Sequence, residues 1–326
     1  MRSVAKTLTA AAVLTMAGLG TAVAEWPEKP IKVTVPFNAG GTSDQVARNF
    51  QAAIQENEIL GQPITIVNVG GHYSIGARQV LEADPDGYNF LLLHIALMGG
   101  AGSGVIDFSY QDYEPVAATG EFCLSPMVRK DSGIETVDQL LEQAAAEPDT
   151  LIFGANLGAI NHMAGIMLQD LVDGAKFRFV QIGGGTANFT ALTGAQTNAT
   201  VLSGAEVMNF TKSPDGSDNP EAQIMPLAYT GTERHPRLPD LPTMTELGHD
   251  MVFCVHSWWF APKGTPAEAV EGFANALGEA TDSERIQTFY EEKLFAPVFL
   301  QGEELEASLS NTWERIEPVA KQAAQK

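Results

Sequence analysis

A strand, a glycine loop and a helix start follow one another within residues 31–48 of this 326-residue chain. The run Ile31–Val35 is rich in β-branched residues and ends at Pro36, which favours a strand that stops there. The next segment, Gly40-Gly41-Thr42-Ser43-Asp44, has residue types that are common at helix amino termini. Backbone N–H groups at a helix start lack partners within the helix and carry partial positive charge. The segment therefore predicts a loop that holds a small anionic group.

Residues 1–24 have the pattern of a secretory signal peptide. Arg2 and Lys6 precede an apolar run, and Ala22-Val23-Ala24 is a small-residue cleavage site. The apolar run is too short to span a membrane, and no later run is long enough. We predict a cleaved leader and an exported mature protein; the alternative is an uncleaved membrane anchor.

The charge and length of the chain limit its partners and its architecture. The formal net charge is −21 at pH 7, which repels nucleic acid and anionic lipid, so we expect neither as a partner. The same charge opposes long-range attraction of an anionic ligand, so an anion site must rely on local donors. A mature chain of about 300 residues exceeds the usual single core, which favours two lobes.

Cysteine and histidine patterns give no support to a metal or cofactor site. Cys123 and Cys254 are the two cysteines and lie in apolar, strand-like segments, so we interpret them as buried thiols, with a disulfide as the alternative. The histidines show no metal-binding spacing. A hydrolase would need Gly-x-Ser-x-Gly between a strand and a helix, and Ser74 has the nearest but wrong spacing.

Strands and helices alternate along the chain, which predicts an α/β fold. Apolar runs favour strands at residues 31–35, 64–68, 88–93, 123–128, 151–153, 177–182 and 199–203. The last third has the patterns of three amphipathic helices, at residues 266–279, 283–292 and 302–320. Most of these strands lead into a loop of Gly, Ser, Thr or Asn. Open α/β sheets bind ligands at the carboxyl edge of their parallel strands, so we expect these loops to meet at one site.

Several motifs together resemble one family. They are Trp26-Pro27-x-Lys29-Pro30-Ile31, Val35-Pro36-Phe37-x-x-Gly40-Gly41-x-x-Asp44, Asp86-Gly87-Tyr88, His162 with Ala164-Gly165, Leu238-Pro239-Asp240-Leu241-Pro242-Thr243 and Ala261-Pro262-x-Gly264-Thr265-Pro266. Over essentially the whole mature chain, the sequence resembles the periplasmic solute receptors of tripartite tricarboxylate transporters, also called Bug-type receptors.

The resemblance implies a two-lobed periplasmic binding protein (type II-like), in which each lobe is a mainly parallel sheet flanked by helices. Lobe I would comprise residues 25–120 and 228–326, lobe II would comprise residues 121–227, and a hinge would lie near Phe122 and Tyr229. Such a receptor is a monomer without a cofactor, and it is not an enzyme. It would carry a small carboxylate to the large and small membrane subunits of a transporter. A sensor for a signalling partner and, less favoured, a secreted α/β hydrolase are the alternatives.

The predicted ligand-binding residues lie in the loops after the strands. They are Phe37, Asn38, Ala39, Gly40, Gly41, Thr42, Ser43, Asp44, His94, Asn156, Ala159, Asn161, His162, Gly184, Gly185, Thr186, Ser203 and Glu206. Ala159 stands where relatives often carry Ser, and His94 replaces a small hydroxyl residue. Fewer hydroxyls favour a monocarboxylate or a ligand with an apolar body, and tight binding of citrate would reject this.

Some of these residues also have structural interpretations. We expect Asp44 to accept hydrogen bonds at the helix start more than to contact an anionic ligand, which it would repel. His162 is equally consistent with a ligand contact and with a structural hydrogen-bond donor within its helix. Glu206 would suit an amine or a hydroxyl group, or it is a solvated surface acid. Trp258 and Trp259 are expected to pack in the core or at the hinge.

Overall fold

The computed structural model describes residues 26–324 of the chain. The predicted signal peptide lies outside these residues. Within them, no helix is both long enough and apolar enough to cross a membrane.

The described chain has ten strands and ten α-helices. The strands are β1 (Ile31–Val35), β2 (Ile64–Asn68), β3 (Asn89–Leu93), β4 (Tyr113–Arg129), β5 (Ile152–Ala155), β6 (Arg178–Gln181), β7 (Ala199–Ser203), β8 (Ile224–Pro226), β9 (Cys254–Pro262) and β10 (Phe295–Leu300). The helices are α1 (Thr42–Glu56), α2 (Tyr73–Leu81), α3 (Ala96–Gly102), α4 (Val137–Ala146), α5 (Ile160–Gln169), α6 (Gly185–Thr193), α7 (Gly204–Thr211), α8 (Ala267–Thr281), α9 (Glu284–Lys293) and α10 (Gly302–Ala323).

The strands form a mixed sheet in the order β2-β1-β3-β9-β4-β7-β5-β6, and β8 and β10 also pair with β4. The pairs of β1 with β2 and β3, and of β5 with β6 and β7, are parallel, as the strand–helix alternation predicts. The central strands β4 and β9 run antiparallel to their neighbours. The predicted α/β class is therefore confirmed, with helices flanking a sheet that is parallel on both sides of an antiparallel centre.

Strand β4 is 17 residues long and connects two groups of strands. It pairs with β9 as far as Cys123 and with β7 from Leu124 onward. We call β1, β2, β3, β9 and β10 the first half-sheet and β5–β8 the second half-sheet; β4 belongs to both. Thr230, on the returning chain, donates its backbone N–H to Leu124 O at 2.9 Å. The chain thus crosses between the half-sheets close to the predicted hinge positions, whereas the lobe boundaries stay a prediction.

The two cysteines form a disulfide, so the interpretation of Cys123 and Cys254 as thiols is wrong. They occupy directly opposed positions of the antiparallel strands β4 and β9. The two residues are 131 positions apart in the sequence, and the strand register that aligns them has no local signal.

The carboxyl-terminal third contains a strand as well as helices. The sequence patterns favour three helices after Pro266, which correspond to α8, α9 and α10, but β10 lies between the last two and pairs with β4. The tryptophans Trp258 and Trp259 on β9 are each 1% exposed and pack in the core, as predicted. The Trp259 indole N–H donates to Thr119 Oγ1 at 2.8 Å, which satisfies its one polar atom.

Candidate functional site

Three helices begin at one place without a side-chain cap. Gly41, Ala159 and Gly184 are the N-cap residues of α1, α5 and α6, and none of them supplies a side-chain hydrogen bond to the first turn. Ser, Thr, Asn and Asp are the usual residues at this position because their side chains accept from the free N–H groups. Thr136 does so for α4, and Ser283 does so for α9. The starts of α1, α5 and α6 therefore keep donors that an external acceptor can occupy.

These three helix starts line one cavity, which offers about 50 Å³ to the centres of water-sized molecules. Its size suits a small ligand, and neither Lys nor Arg is among its lining residues. The predicted residues that line it are Phe37, Asn38, Gly41, Thr42, Ser43, His94, Asn156, Ala159, Asn161, Gly184, Gly185, Thr186, Ser203 and Glu206. They come from four strand–helix loops and from the segment after β3.

The remaining predicted residues, Ala39, Gly40, Asp44 and His162, do not line the cavity. Asp44 Oδ2 accepts the Gly40 N–H at 2.8 Å and the Arg48 Nε–H at 3.0 Å, so it holds the loop in shape, as the helix-start interpretation expects. Gly40 has a φ of 85°, which lies in the left-handed region that residues with a Cβ rarely adopt. A glycine at this position therefore permits the turn before α1.

His162 lies behind the loop after β5. Its Nδ1 accepts the Gly158 N–H at 3.1 Å, and its ring packs edge-on against Phe179. His162 thus has a structural contact outside the cavity lining, in which Nδ1 is the acceptor.

Sequence reasoning missed four apolar residues of the cavity. Phe122 and Leu124 on β4, Val201 on β7 and Ile160 at the start of α5 line it. The apolar strand pattern predicts that such residues are buried but not that they face a ligand cavity, because this depends on the path of β4 between the half-sheets. Their presence gives the cavity apolar lining in addition to its amide donors.

His94 is a neutral residue of the cavity wall. It is 6% exposed, and its ring stacks on Phe37 with ring centroids 5.2 Å apart. Burial lowers the pKa of His94 to about 3, because the charged imidazolium would lose its hydration. His94 therefore supplies no positive charge for an anion at neutral pH.

Glu206 places a carboxyl group within the cavity wall. It is 5% exposed, so the alternative of a solvated surface acid is wrong. Its Oε2 accepts the Ser203 N–H at 3.0 Å, and Ser203 Oγ accepts the Glu206 N–H at 3.2 Å, which forms a capping box at α7. Burial raises the pKa of Glu206, although hydrogen bonds from Ser203 and Thr42 oppose the shift.

Polar contacts join the two half-sheets around the cavity. Thr42 Oγ1 lies 2.5 Å from Ser203 Oγ, and the Thr42 N–H points to Glu206 Oε1 at 3.4 Å. Outside the cavity lining, His72 Nε2 lies 3.1 Å from Leu157 O. Loops of the first half-sheet thus contact loops of the second at two places, one of which is in the cavity lining.

The Ser74 pattern does not form a hydrolase site at the cavity, and the described residues contain no candidate metal site. Ser74 Oγ lies 2.7 Å from His72 Nδ1, but Ser74 is outside the cavity, and this contact accompanies the N-cap of α2. In the same residues, no group of His, Cys, Asp or Glu side chains could hold a metal ion.

The family model described as "Tripartite tricarboxylate transporter family receptor" matches residues 46–324. The chain belongs to this family. A protein of Agrobacterium vitis, encoded in the TAR-I ttuE-ttuC' intergenic region, is 33% identical over 262 residues, which cover 78% of this chain and 72% of that protein. Protein BugT of Bordetella pertussis is 25% identical, and the aligned region covers 92% of this chain and 91% of BugT.

Solved structures show the same fold. MatC from Rhodopseudomonas palustris, solved with malate, superposes on this chain with a TM-score of 0.79 at 23% sequence identity. The aligned region covers 92% of this chain and 100% of the MatC chain. The periplasmic binding protein BugD superposes with a TM-score of 0.76 at 24% identity and covers 92% and 97% of the two chains.

The family predicted from the motifs is therefore confirmed, as is the fold of a periplasmic binding protein. The family consists of solute-binding receptors of tripartite transporters. This class agrees with a cavity that is lined by helix starts without side-chain caps and by apolar side chains.

Proposed function

We propose that this protein is an exported receptor that binds a small carboxylate between two lobes and delivers it to a tripartite tricarboxylate-type permease. One observation carries the proposal: three helix starts without side-chain caps, at Gly41, Ala159 and Gly184, meet at one cavity. A carboxylate would take the place of the missing caps. Oriented N–H groups and the helix dipoles stabilise an anion there without a cationic side chain.

The three helix starts belong to different half-sheets, which supports binding by closure. The α1 start follows β1 of the first half-sheet, whereas α5 and α6 follow β5 and β6 of the second. We propose that lobe I, residues 25–120 and 228–326, and lobe II, residues 121–227, close about the crossing strands. A ligand that contacts both lobes stabilises the closed state, because these contacts exist only in that state.

The ligands in solved structures of the same fold support a carboxylate. MatC was solved with malate, and another Rhodopseudomonas palustris protein of this fold was solved with adipate. The apolar wall formed by Phe122, Leu124, Ile160 and Val201 favours a smaller or less charged acid than citrate. We propose that the receptor works as a monomer in the periplasm after its signal peptide is removed, and that its partners are the large and small membrane subunits of the transporter.

A ligand screen tests the binding function. Purified mature protein is heated with small mono- and dicarboxylates, and sugars and uncharged amides of similar size serve as controls. We expect the melting temperature to rise with at least one carboxylate and to rise further as its concentration increases relative to Kd. No stabilisation by any carboxylate, or turnover of a compound that stabilises the protein, would reject the proposal.

Delivery to a permease needs a separate experiment. The large and small membrane subunits are reconstituted in vesicles, and uptake of the radiolabelled carboxylate is measured with and without the receptor. We expect uptake only when the receptor is present. Tight binding without any receptor-dependent uptake would point to a sensor.

A further inference from the structure

Glu206 presents an acceptor between two of the donor-rich helix starts. A Cβ at Gly185, the first residue of α6, would overlap the Glu206 carboxylate, so this carboxylate lies directly against the start of α6. A Cβ at Gly41, the N-cap of α1, would lie 3.6 Å from Glu206 Oε1. A ligand carboxylate at these helix starts would therefore have Oε1 as a near neighbour.

The two oxygens of Glu206 differ in how well they are satisfied. Oε2 accepts both the N–H and the hydroxyl of Ser203, at 3.0 and 3.2 Å. Oε1 accepts one long bond, from the Thr42 N–H at 3.4 Å. A carboxylate oxygen accommodates two donors, so Oε1 retains capacity for a second one.

No cation neutralises this carboxylate. Within residues 26–324, Glu206 takes part in no ion pair, and the cavity lining contains neither Lys nor Arg. The N–H groups of the helix starts offset the repulsion between Glu206 and the first ligand carboxylate. A second carboxylate about 5 Å from Glu206 would lack such donors and would weaken binding by roughly a hundredfold at the effective dielectric constant typical of protein sites. A donor at the same place would strengthen binding, since hydrogen bonds to charged groups contribute roughly ten- to a hundredfold in affinity.

We propose that Glu206 selects ligands with a single carboxylate and a neighbouring O–H or N–H donor, and that it rejects dicarboxylates whose second charge falls beside it. This inference rests on the proposed function and narrows its ligand class. The amides of the helix starts hold the carboxylate, Oε1 accepts the neighbouring donor, and the apolar wall covers the body of the ligand. The raised pKa of Glu206 agrees with a carboxylate that lacks a cationic partner.

Four acids with the same number of carbons test the selection. Calorimetry at pH 8 compares butanoate, 2-hydroxybutanoate, 2-aminobutanoate and butanedioate with the mature protein. We expect the 2-hydroxy or the 2-amino acid to bind at least tenfold more tightly than butanoate, and butanedioate to bind most weakly. The hydroxy and amino acids distinguish a neutral donor from an ammonium group.

The variant Glu206→Gln replaces an acceptor by a group that can also donate. We expect this variant to bind the 2-hydroxy or 2-amino acid less than about threefold more tightly than butanoate. We expect its affinity for butanedioate to rise at least tenfold above that of the wild-type protein. Glu246→Gln is the matched control, because Glu246 forms the same reciprocal cap with Thr243, at 2.8 and 3.1 Å, away from the cavity. It should leave the ranking of the acids unchanged.

The outcomes separate this inference from the proposed function. If none of the four acids binds, the selection is overturned, whereas the carboxylate site itself is overturned only if the wider carboxylate screen also finds no ligand. If they bind but butanedioate is tightest, or if Glu206→Gln keeps the wild-type ranking, Glu206 is only a helix cap and the selection is overturned. Should Glu206→Gln fail to fold, the wild-type ranking alone decides, since it requires no variant.

Discussion

Replacing Ala159 by Asp should add a helix cap and abolish carboxylate binding. Ala159 is the N-cap of α5, it lines the cavity, and its N-cap conformation is extended, as a capping residue requires. An Asp side chain there can accept from the free N–H groups of the first turn. It would occupy the donors that we assign to the ligand and would add a negative charge beside them.

The magnitude follows from two effects. Each N–H group that bonds to the new cap instead of the ligand would weaken the binding of a charged ligand by about 1.5–3 kcal/mol. Repulsion between the Asp and ligand carboxylates, at a separation of about 5 Å, adds roughly 3 kcal/mol at an effective dielectric constant of 20. Together they weaken binding by at least about a thousandfold. The Asn side chain of Ala159→Asn has nearly the same size and capping preference as Asp but no charge. This variant should therefore weaken binding only through the lost N–H donors and not through repulsion.

Calorimetry with the tightest carboxylate found for the wild-type protein provides the assay, and thermal unfolding of the ligand-free variants checks the cap. We expect no measurable binding for Ala159→Asp and roughly ten- to a hundredfold weaker binding for Ala159→Asn. For Ala159→Asn, the cap should raise ligand-free stability by about 0.5–2 kcal/mol. Wild-type affinity in Ala159→Asp would refute the assignment of the α5 start to the ligand.

Three further predictions concern closure, the disulfide and pH. If Gly99 of α3 carried a Cβ, that atom would overlap a backbone carbonyl of the loop after β5, across the two half-sheets, so Gly99→Ala should oppose closure. We expect it to weaken ligand binding at least tenfold and to reduce ligand-induced compaction in small-angle scattering. The control Gly61→Ala adds a Cβ that contacts nothing and should change neither quantity. Replacing Cys123 and Cys254 by Ala should lower the free energy of unfolding in urea by roughly 4–5 kcal/mol, and a loss below about 1 kcal/mol would contradict the pairing. The pKa of His94, about 3 in the folded chain, is below its unfolded value, so its contribution to stability is present above pH 6.5 and is lost as pH falls towards 3. Urea titrations should show this loss at up to roughly 1.4 kcal/mol per pH unit, and His94→Asn, whose side chain does not titrate, should remove that part of the slope.

Local patterns predicted the parts of the fold that depend on near neighbours. The strand at Ile31–Val35, the glycine turn and the α1 start are each encoded within a few residues, and the structure has them where the sequence indicates. The loops that line the cavity were predictable for the same reason, because parallel strands bring their carboxyl ends to one edge.

The features that the sequence did not predict depend on long-range register. The disulfide requires β4 and β9 to align Cys123 with Cys254, and β10 finds its place only through pairing with β4. The Ser203-x-x-Glu206 spacing is that of a capping box and is readable from sequence, but the burial of Glu206 arises only when α1 approaches from the other half-sheet.

The most direct test of the account follows the backbone amides themselves. Isotope-labelled protein is titrated with the tightest carboxylate, and nuclear magnetic resonance records the shift of every amide proton. The account predicts the largest downfield shifts in the first turns of α1, α5 and α6, since N–H groups there would donate to the ligand carboxylate. Saturable binding that leaves these amides unshifted and perturbs another surface would contradict it.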